Sequence, residues 1–169
     1  TERVKFTWIG GEDKTSLVMG NGRPFFAKLL SPKKRNVRLA KKSNLNEIMI
    51  HDLRKIDHIP NGSIQFRSKT KMLVSTKNNL SSNKLKKLKQ LTDAPIEITD
   101  SNKQYKKRIY KLKYKKHSLQ SFAVEMEADG GIPIKRLVSG FSVIPNISSI
   151  LNTDCFCEKF DVDQIYLSK

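Results

Sequence analysis

The 169-residue chain carries 33 Lys and Arg against 16 Asp and Glu, a formal net charge of +17 that exceeds what solubility requires and indicates a polyanionic partner. Its length suits one domain with a hydrophobic core and is short for two. No run of 18 or more apolar residues and no N-terminal hydrophobic signal segment occurs, so we expect a soluble, cytoplasmic protein without a membrane partner.

The first residues are predicted to form strands. Apolar and polar side chains alternate over residues 4–8 (VKFTW), which predicts a half-buried strand that ends at Gly10-Gly11. Segments 16–19 and 24–30 flank Asn21-Gly22, the commonest signal for a two-residue hairpin, because both positions of such a turn need positive φ. We therefore expect strand, glycine loop, strand, tight turn and strand.

A basic segment comes next. Residues 31–42 read SPKKRNVRLAKK, which predicts a basic connector or a solvated arm, with an ordinary exposed loop as the simpler alternative. Beyond it, period-two spacing recurs over residues 64–66 and 72–74, on either side of Lys69-Thr70-Lys71. This predicts a pair of strands or one long bent strand.

A helix is predicted from Ser81 onward. The segment begins with serine and asparagine residues, which commonly cap helices. They are followed by leucines at helical spacing, namely Leu85, Leu88 and Leu91, and lysines occupy the opposite face. Those lysines either contact phosphate or keep the outer face of a packed helix in water. The leucines belong to the core in both cases.

Two more strands are predicted over residues 110–114 and 122–126, each with one apolar face. If these strands pair antiparallel, their lysines lie beside Glu125 and Glu127, and part of the basic charge is neutralised internally. Not every lysine should then be counted as a contact to the polyanionic partner.

The C-terminal part is predicted to contain short helices over residues 132–138 and 146–151, followed by one or two strands over 156–167. About eight strands and three or four short helices predict an α+β domain with a mixed, mainly antiparallel sheet and helices packed on one face. Cys155 and Cys157 would lie on the same face of a strand, and the histidines show no ligand spacing, so we expect no metal site.

Two motifs carry a family resemblance. The first motif matches the signature Gly-Arg-Glu-Asp, six residues, Gly-x-Gly-Arg-Pro-Phe. It consists of Gly10-Gly11-Glu12-Asp13, six further residues and then 20–25 (GNGRPF). Near the C-terminus, residues 130–140 (GGIPIKRLVSG), 145–147 and 160–162 follow a second pattern in the same order. The chain therefore resembles the archaeal and eukaryotic tRNA pseudouridine synthases that modify the T-arm.

The resemblance implies a pseudouridine-synthase-like fold with a basic cleft, over a single domain at 1–169 without the family's accessory RNA-binding domain. It also implies that Asp13 attacks a flipped-out uridine without metal or cofactor, since a nucleophilic carboxylate must stand where an extruded base can reach it. Lys135 matches the family's basic position and could pair with Asp13. The alternatives are that Asp13 only caps a turn and that Lys135 is only solvated.

The sequence departs from the family at expected functional positions. The motif Arg is Gly11, a strand Tyr that stacks near the base is Thr70, and the Tyr of the C-terminal motif is Pro133. A basic segment that the family carries between Thr99 and Arg108 is shortened or absent.

These observations leave three hypotheses. The first is a diverged scaffold with weak or no catalysis that binds structured RNA, either rRNA or tRNA. It would belong to a ribonucleoprotein such as the ribosome, with ribosomal proteins as further partners. The alternative is an active synthase that isomerises uridine in tRNA or rRNA with Asp13 as nucleophile. A protein that binds DNA or a membrane surface would explain the charge but neither motif.

RNA contacts are predicted for basic residues that lie in or near the basic segment, the central strands and the C-terminal motif. They are Arg23, Lys33, Lys34, Arg35, Arg38, Arg67, Lys69, Lys71, Lys106, Lys107, Arg108 and Arg136.

Overall fold

The computed structural model describes residues 3–11, 13–46, 48–59, 64–101 and 103–167. The chain divides into two compact units, one made of Thr1–Trp8 and Phe25–Ile64 and the other of Ile9–Pro24 and Gln65–Lys169. The single domain expected over 1–169 stays a prediction.

The first unit contains two hairpins. Strand β1 (Arg3–Trp8) pairs antiparallel with β2 (Phe25–Leu30), and β3 (Lys42–Leu45) pairs antiparallel with β4 (Ile48–His51). The basic residues 31–41 connect the hairpins without regular secondary structure, as predicted.

The half-buried β1 expected from its alternation is wrong. All six residues of β1 are exposed, with Phe6 at 53% and Trp8 at 52%. Alternation did predict which side chains share a face, because Phe6, Trp8 and Phe25 form a ring cluster with centroids 5.0 to 6.0 Å apart. Alternation reports the shared face of a strand and not whether a second layer covers it.

The second unit holds seven strands and four short helices among its described residues. In chain order these are β5 (Phe66–Thr76), α1 (Ser82–Lys86), a 3₁₀ helix (Lys87–Thr92), β6 (Ile96–Asp100), β7 (Lys103–Lys107), β8 (Ile109–Lys116), β9 (Ser121–Asp129), α2 (Ile134–Ser139), β10 (Val143–Ile144), α3 (Ile147–Leu151) and β11 (Cys155–Leu167).

Two antiparallel sheets organise this unit. The larger has the strand order β11-β5-β9-β8, and the smaller has the order β10-β6-β7. Buried and partly exposed residues alternate along β9, so one face of the larger sheet packs on the core. The mixed, mainly antiparallel α+β architecture predicted from the sequence is confirmed.

The helix predicted from Ser81 is confirmed as α1 with its 3₁₀ extension. The Ser81 hydroxyl accepts a hydrogen bond from the backbone N–H of Lys84, which satisfies a free donor at the helix start. Leu85, Leu88 and Leu91 are at most 1% exposed and form part of the core. The two later helices are also confirmed as α2 and α3.

Strand β5 is one continuous strand, which settles the choice between a strand pair and a single strand. The antiparallel pairing of β8 with β9 is confirmed, and it brings Lys111 within 3.1 Å of Glu127, as the sequence indicated. The β6–β7 hairpin was not predicted. Ile96 and Ile98 alternate with polar residues along β6 and are fully buried, but the lysine-rich β7 (KQYKK) gives little periodic signal for a partner strand.

The hairpin predicted around Asn21-Gly22 is wrong. Gly22 does close a turn through its N–H bond to the Met19 carbonyl at 3.1 Å. The residues before that turn bind β11 instead of β2, with a parallel bridge between Val18 and Val162. Strand β2 pairs with β1, because long-range backbone partners override the local hairpin signal.

Strand β11 contains a bulge that shapes one wall of the second unit. Val162 pairs with Thr70 and Gln164 with Lys69, so Asp163 is the extra residue. A bulge residue shifts the alternation of side chains that follow it. As a result, Val162 and Ile165 line the same cavity, although a regular strand would place them on opposite faces.

Among the described residues, no helix combines the length and the apolar character needed to cross a membrane.

Replacing Leu88 by Ala tests the core. Its side chain is completely buried, so we expect the free energy of unfolding to fall by about 2–5 kcal/mol in urea titrations. The exposed neighbour Lys87→Ala serves as control and should stay within about 0.5 kcal/mol of the parent protein. Equal unfolding midpoints for the two variants would contradict the position of the helix.

Candidate active site

Asp13 stands in a turn that its own carboxylate organises. Its Oδ1 accepts hydrogen bonds from the backbone N–H of Thr15 at 2.9 Å, the Thr15 hydroxyl at 2.8 Å and the Ser16 hydroxyl at 2.8 Å. Such side-chain bonds to residues two and three positions ahead are typical of an Asx turn. Asp13 therefore does cap a turn, which is one of the roles that the sequence left open for it.

The second carboxylate oxygen of Asp13 faces Lys135. The Lys135 Nζ lies 2.6 Å from Oδ2, and the side chains of Lys135 and Asp13 are 60% and 28% exposed, respectively. Lys135 is the second residue of α2, so the helix holds the ammonium beside the turn. The pairing suggested by the sequence is present, and Lys135 is not merely solvated.

The pair keeps both groups charged. The ammonium of Lys135, with the hydroxyls of Ser16 and Thr15, holds the pKa of the Asp13 carboxyl well below its usual range. The same contact raises the pKa of Lys135. At neutral pH the turn therefore presents an ionised carboxylate next to a fixed positive charge.

The residues after Asp13 are fastened to β11. The Leu17 N–H donates to Oδ1 of Asp161 at 3.0 Å, the Val162 N–H donates to the Leu17 carbonyl at 2.8 Å, and the Met19 N–H donates to the Val162 carbonyl at 2.7 Å. Gly20 then passes β11 with φ +62°, where a Cβ would lie 2.6 Å from the Asp163 carbonyl oxygen. Glycine is needed at this point for the close approach.

Arg23 fastens the other end of the motif. Its Nε donates to the Ile9 carbonyl at 3.2 Å, and its Nη2 donates to the Gly10 carbonyl. The Ile9 N–H donates to the Pro24 carbonyl at 3.0 Å. Arg23 thus stabilises the backbone just ahead of Asp13, and its RNA contact stays a prediction.

A cavity of about 250 Å³ is lined by residues that precede both partners of the ion pair along the chain, although Asp13 and Lys135 themselves do not line it. Gly10 and Gly11, just before Asp13, form one wall, and segment 131–134, just before Lys135, forms another. The remaining lining comes from one face of β5 and from β11. Its volume lies below the roughly 300–1,000 Å³ of pockets for drug-sized ligands and suits a single heterocyclic ring.

Three of the four departures from the family motifs meet at this cavity. Gly11, Thr70 and Pro133 all line it. Gly11 has no atom within 4 Å of where a Cβ would be and does not have positive φ, so the backbone there would accept a larger residue. The motif comparison therefore identified three positions of one site without indicating that they lie together.

The predicted RNA-contact residues of the first unit are exposed on the connector. Lys33, Lys34, Arg35 and Arg38 lie in the irregular segment between its two hairpins. None of the four has an ion-pair partner among the carboxylates that the structure describes.

Several predicted contacts of the second unit are already engaged in the fold. Lys69 lies 3.1 Å from Glu125, Lys71 lies 3.1 Å from Asp163 and Lys106 lies 2.9 Å from Glu97. These pairs show that part of the positive charge of both sheets is compensated within the unit.

The arginines among these residues differ in their surroundings. Arg136 donates to the carbonyls of Phe141 and Thr99, which fixes its guanidinium beside α2. Arg67 lies over the Tyr110 ring, 3.9 Å from its centroid. Arg108 is exposed and Lys107 is half-buried. RNA binding by these side chains stays a prediction.

Sequence reasoning missed Thr15, Ser16 and Asp161 as parts of the site. Asp161 does belong to the quoted Phe-Asp-Val segment, so the motif gave a signal for it, whereas the two hydroxyl residues lie within the unspecified six. Among the residues that the structure describes, no three His, Cys, Asp or Glu side chains are grouped as metal ligands. Burial raises the pKa of the nearby Cys157 thiol to about 11, which keeps it protonated and unreactive at neutral pH.

Replacing Lys135 by Met tests the electrostatics of the pair. The pKa of Asp13 is lower in the folded protein than in the unfolded chain, so its ionised form stabilises the fold. This stabilisation is complete at pH values above the ordinary carboxyl pKa of about 3.9. It is lost as the pH falls through the lowered pKa of the folded state. Lys135→Met should raise the Asp13 pKa toward, but not to, the ordinary value, because Thr15 and Ser16 still donate. The carboxyl carbon shift of Asp13 in an NMR acid titration measures it.

The control for this titration is Lys106→Met, which removes the ion pair with Glu97 and should leave the pKa of Asp13 unchanged. An Asp13 pKa that is the same in Lys135→Met and in the parent protein would contradict the pair as the main cause of the shift.

Residues 1–166 match the family model described as "Pus10, C-terminal". The chain is 43% identical over 163 residues to the tRNA pseudouridine synthase Pus10 of Nitrosopumilus maritimus, covering 96% of this chain and 42% of the relative. Its identity to the enzyme of the same name from Cenarchaeum symbiosum is 36% over 167 residues, or 99% of this chain and 42% of the relative. The chain thus spans about four tenths of the length of these relatives, and it belongs to the Pus10 C-terminal family of the tRNA pseudouridine synthases.

Proposed function

We propose that the chain carries the reaction centre of a pseudouridine synthase that acts on tRNA, with Asp13 as the nucleophile. The observation that carries the proposal is the Asp13–Lys135 ion pair, together with a cavity large enough for one base that is lined by the chain neighbours Gly11 and Ile134 of the two partners. The relatives' names support a tRNA substrate. The first hypothesis, a scaffold with weak or no catalysis in a ribonucleoprotein such as the ribosome, has no support from the relatives, whose names favour the alternative of an active synthase.

The reaction needs a nucleophile and an acceptor for the C5 proton, and the Asp13 carboxylate can serve as the first and, once released, as the second. Isomerisation breaks the bond between N1 and C1′ of uridine and forms a bond between C5 and C1′. C5 loses one proton and N1 gains one, so atoms and electrons balance without an oxidant, a reductant or a cofactor. A carboxylate that attacks the extruded nucleotide and is released at the end satisfies this scheme.

The hydrogen bonds of Asp13 indicate which oxygen reacts. A carboxylate has about four lone-pair positions, two on each oxygen. Oδ1 receives three local donors and is fully used as the anchor of the turn, whereas Oδ2 contacts only Lys135 among the described residues. Oδ2 therefore keeps a lone pair for the nucleotide, while Lys135 holds the carboxylate ionised and in place.

Extruding a base from an RNA stack costs a few kcal/mol, which phosphate contacts must offset. The first unit contains 11 Lys and Arg against 4 Asp and Glu, and its connector side chains are exposed. We infer that Lys33, Lys34, Arg35 and Arg38 bind phosphates of the substrate. The paired lysines of the second unit contribute less, because each would have to leave a carboxylate first.

Asp13→Asn tests the assigned nucleophile. The amide preserves the shape but not the charge, so we expect isomerisation to fall below detection while tRNA affinity stays within about twofold, since Asp13 contributes no phosphate contact. Release of tritium from tRNA labelled at C5 of uridine measures the reaction, and fluorescence anisotropy measures binding.

Glu97→Gln is the matched control, because it removes an exposed, ion-paired carboxylate outside the cavity and should leave the rate unchanged. Full tritium release by Asp13→Asn would refute Asp13 as nucleophile. No release by the parent chain on any cellular tRNA would refute the activity itself.

A double variant, Lys33→Ala with Lys34→Ala, tests the phosphate contacts. The slope of log affinity against log salt should become shallower by about 0.7–0.9 for each phosphate that the variant no longer neutralises. The matched double variant Lys69→Ala with Lys71→Ala should change the slope less, since both lysines already pair with carboxylates. Equal changes in the two variants would contradict the assignment of the connector.

A further inference from the structure

The cavity contains two hydroxyl groups that the fold leaves without partners. Ser68 and Thr70 occupy alternate positions of β5, so both lie on the face of the strand that lines the cavity. Thr70 is only 2% exposed. Neither hydroxyl makes a hydrogen bond to any group in the part of the chain that the structure describes.

The contrast with Thr76 shows that this is not a general property of β5. Thr76 lies on the same face, is 6% exposed, and donates from Oγ1 to the carbonyl of Asn78 at 2.8 Å. Buried hydroxyls in folded proteins are normally bonded in this way. A hydroxyl that lines a cavity and has no partner within the described fold is suited to a ligand that brings its own acceptor.

The rest of the lining restricts the chemistry of that ligand. Phe66, Ile132, Phe160, Val162 and Ile165 form apolar walls around the two hydroxyls. Such walls accept the faces of a flat ring and disfavour a charged group, which would lose its hydration without compensation. The space favours one six-membered ring over a fused purine.

We propose that Thr70, assisted by Ser68, is a specificity-determining residue that donates a hydrogen bond to an exocyclic oxygen of a uracil base held in this cavity. The inference rests on the proposed function, since it supplies the site that an extruded uridine occupies beside Asp13. Uracil fits the lining because it is a small, uncharged ring with two carbonyl oxygens, one on each side of N3. A threonine or serine hydroxyl can donate to either oxygen by rotation.

The alternatives at this position are less consistent with the contacts. A Thr70 that served only to fill the core would bond within the fold, as Thr76 does, whereas the hydroxyl of Thr70 has no such bond and its residue lines the cavity. If the cavity were an apolar packing defect, the two hydroxyls would not both line it from one strand.

The test uses uridine as the probe, because a neutral nucleoside is not captured by a surface with a net charge of +17. Uridine is titrated into the full chain, and the NMR signals of the Ile132, Val162 and Ile165 methyl groups report the occupation of the cavity. We expect these methyl signals to shift with uridine and to shift less with adenosine at equal concentration.

Three variants separate the hydroxyl from the fold. Thr70→Val replaces the hydroxyl by a methyl group of similar shape and should weaken uridine binding by about 3- to 10-fold, the equivalent of one hydrogen bond. Thr70→Ser keeps the hydroxyl and should bind within about twofold of the parent chain. Thr76→Val is the matched control, because it removes a buried hydroxyl of the same strand outside the cavity.

Equal uridine affinity of Thr70→Val and the parent chain, or no shift of the cavity methyl signals with uridine, would overturn the inference. A loss of affinity in Thr76→Val as large as that in Thr70→Val would overturn it too, since the effect would then come from a loosened strand. Because the readout is binding, its failure is separable from that of the proposed function. If uridine binds in the cavity but the chain isomerises no tRNA, only the proposed activity is refuted. If the chain isomerises tRNA but uridine does not shift these methyl signals, only this inference is refuted.

Discussion

The ion pair between Asp13 and Lys135 is the contact on which the site depends, because it joins two segments from nearly opposite ends of the sequence. The loop that carries Asp13 is fastened to β11 by backbone bonds and by Asp161, and Lys135 stands on a helix that begins at Ile134. Each fastening fixes one partner of the pair. The cavity is connected to this ion pair through the chain. Gly11, which lines the cavity, comes shortly before Asp13, and Ile134, which also lines it, comes directly before Lys135.

Charge has two separate roles in this chain. In the second unit, lysines of the sheet face carboxylates on neighbouring strands, as in the Lys69–Glu125 and Lys111–Glu127 pairs. In the first unit, the connector carries lysines and arginines without such partners among the described residues. Net charge alone therefore overstates the surface available to RNA, and the distribution of acidic partners indicates which cations remain available.

Capping residues and side-chain periodicity predicted the helices and strands that depend mainly on neighbouring residues. The capped leucine stripe gave α1 with its 3₁₀ extension, and alternation gave β5, β8 and β9, because propensity, capping and side-chain periodicity act over a few residues. The pairing of 17–19 with β11 and the bulge at Asp163 were not predictable, since they depend on partners far away along the chain. The exposure of β1 escaped prediction for a related reason, because covering a face requires a second layer that the strand itself does not specify.

The sequence named some residues of the candidate site but not their arrangement. The motifs supplied Asp13 and Lys135, and the departures supplied Gly11, Thr70 and Pro133, yet only the fold shows that the last three line one cavity. Thr15 and Ser16 escaped notice because hydroxyl residues are common in loops and acquire meaning only from the carboxylate that they contact. Because Gly11, Thr70 and Pro133 are smaller than the family's residues there, hydroxyl and apolar groups line the cavity.

The most direct test of this account is the structure of the chain bound to a tRNA transcript in which 5-fluorouridine replaces uridine, since fluorine at C5 blocks the proton loss that completes the reaction. The account predicts one fluorinated base out of its stack and inside the cavity, with its ribose or ring against Oδ2 of Asp13. Bound tRNA with every base stacked and the cavity unoccupied would contradict it.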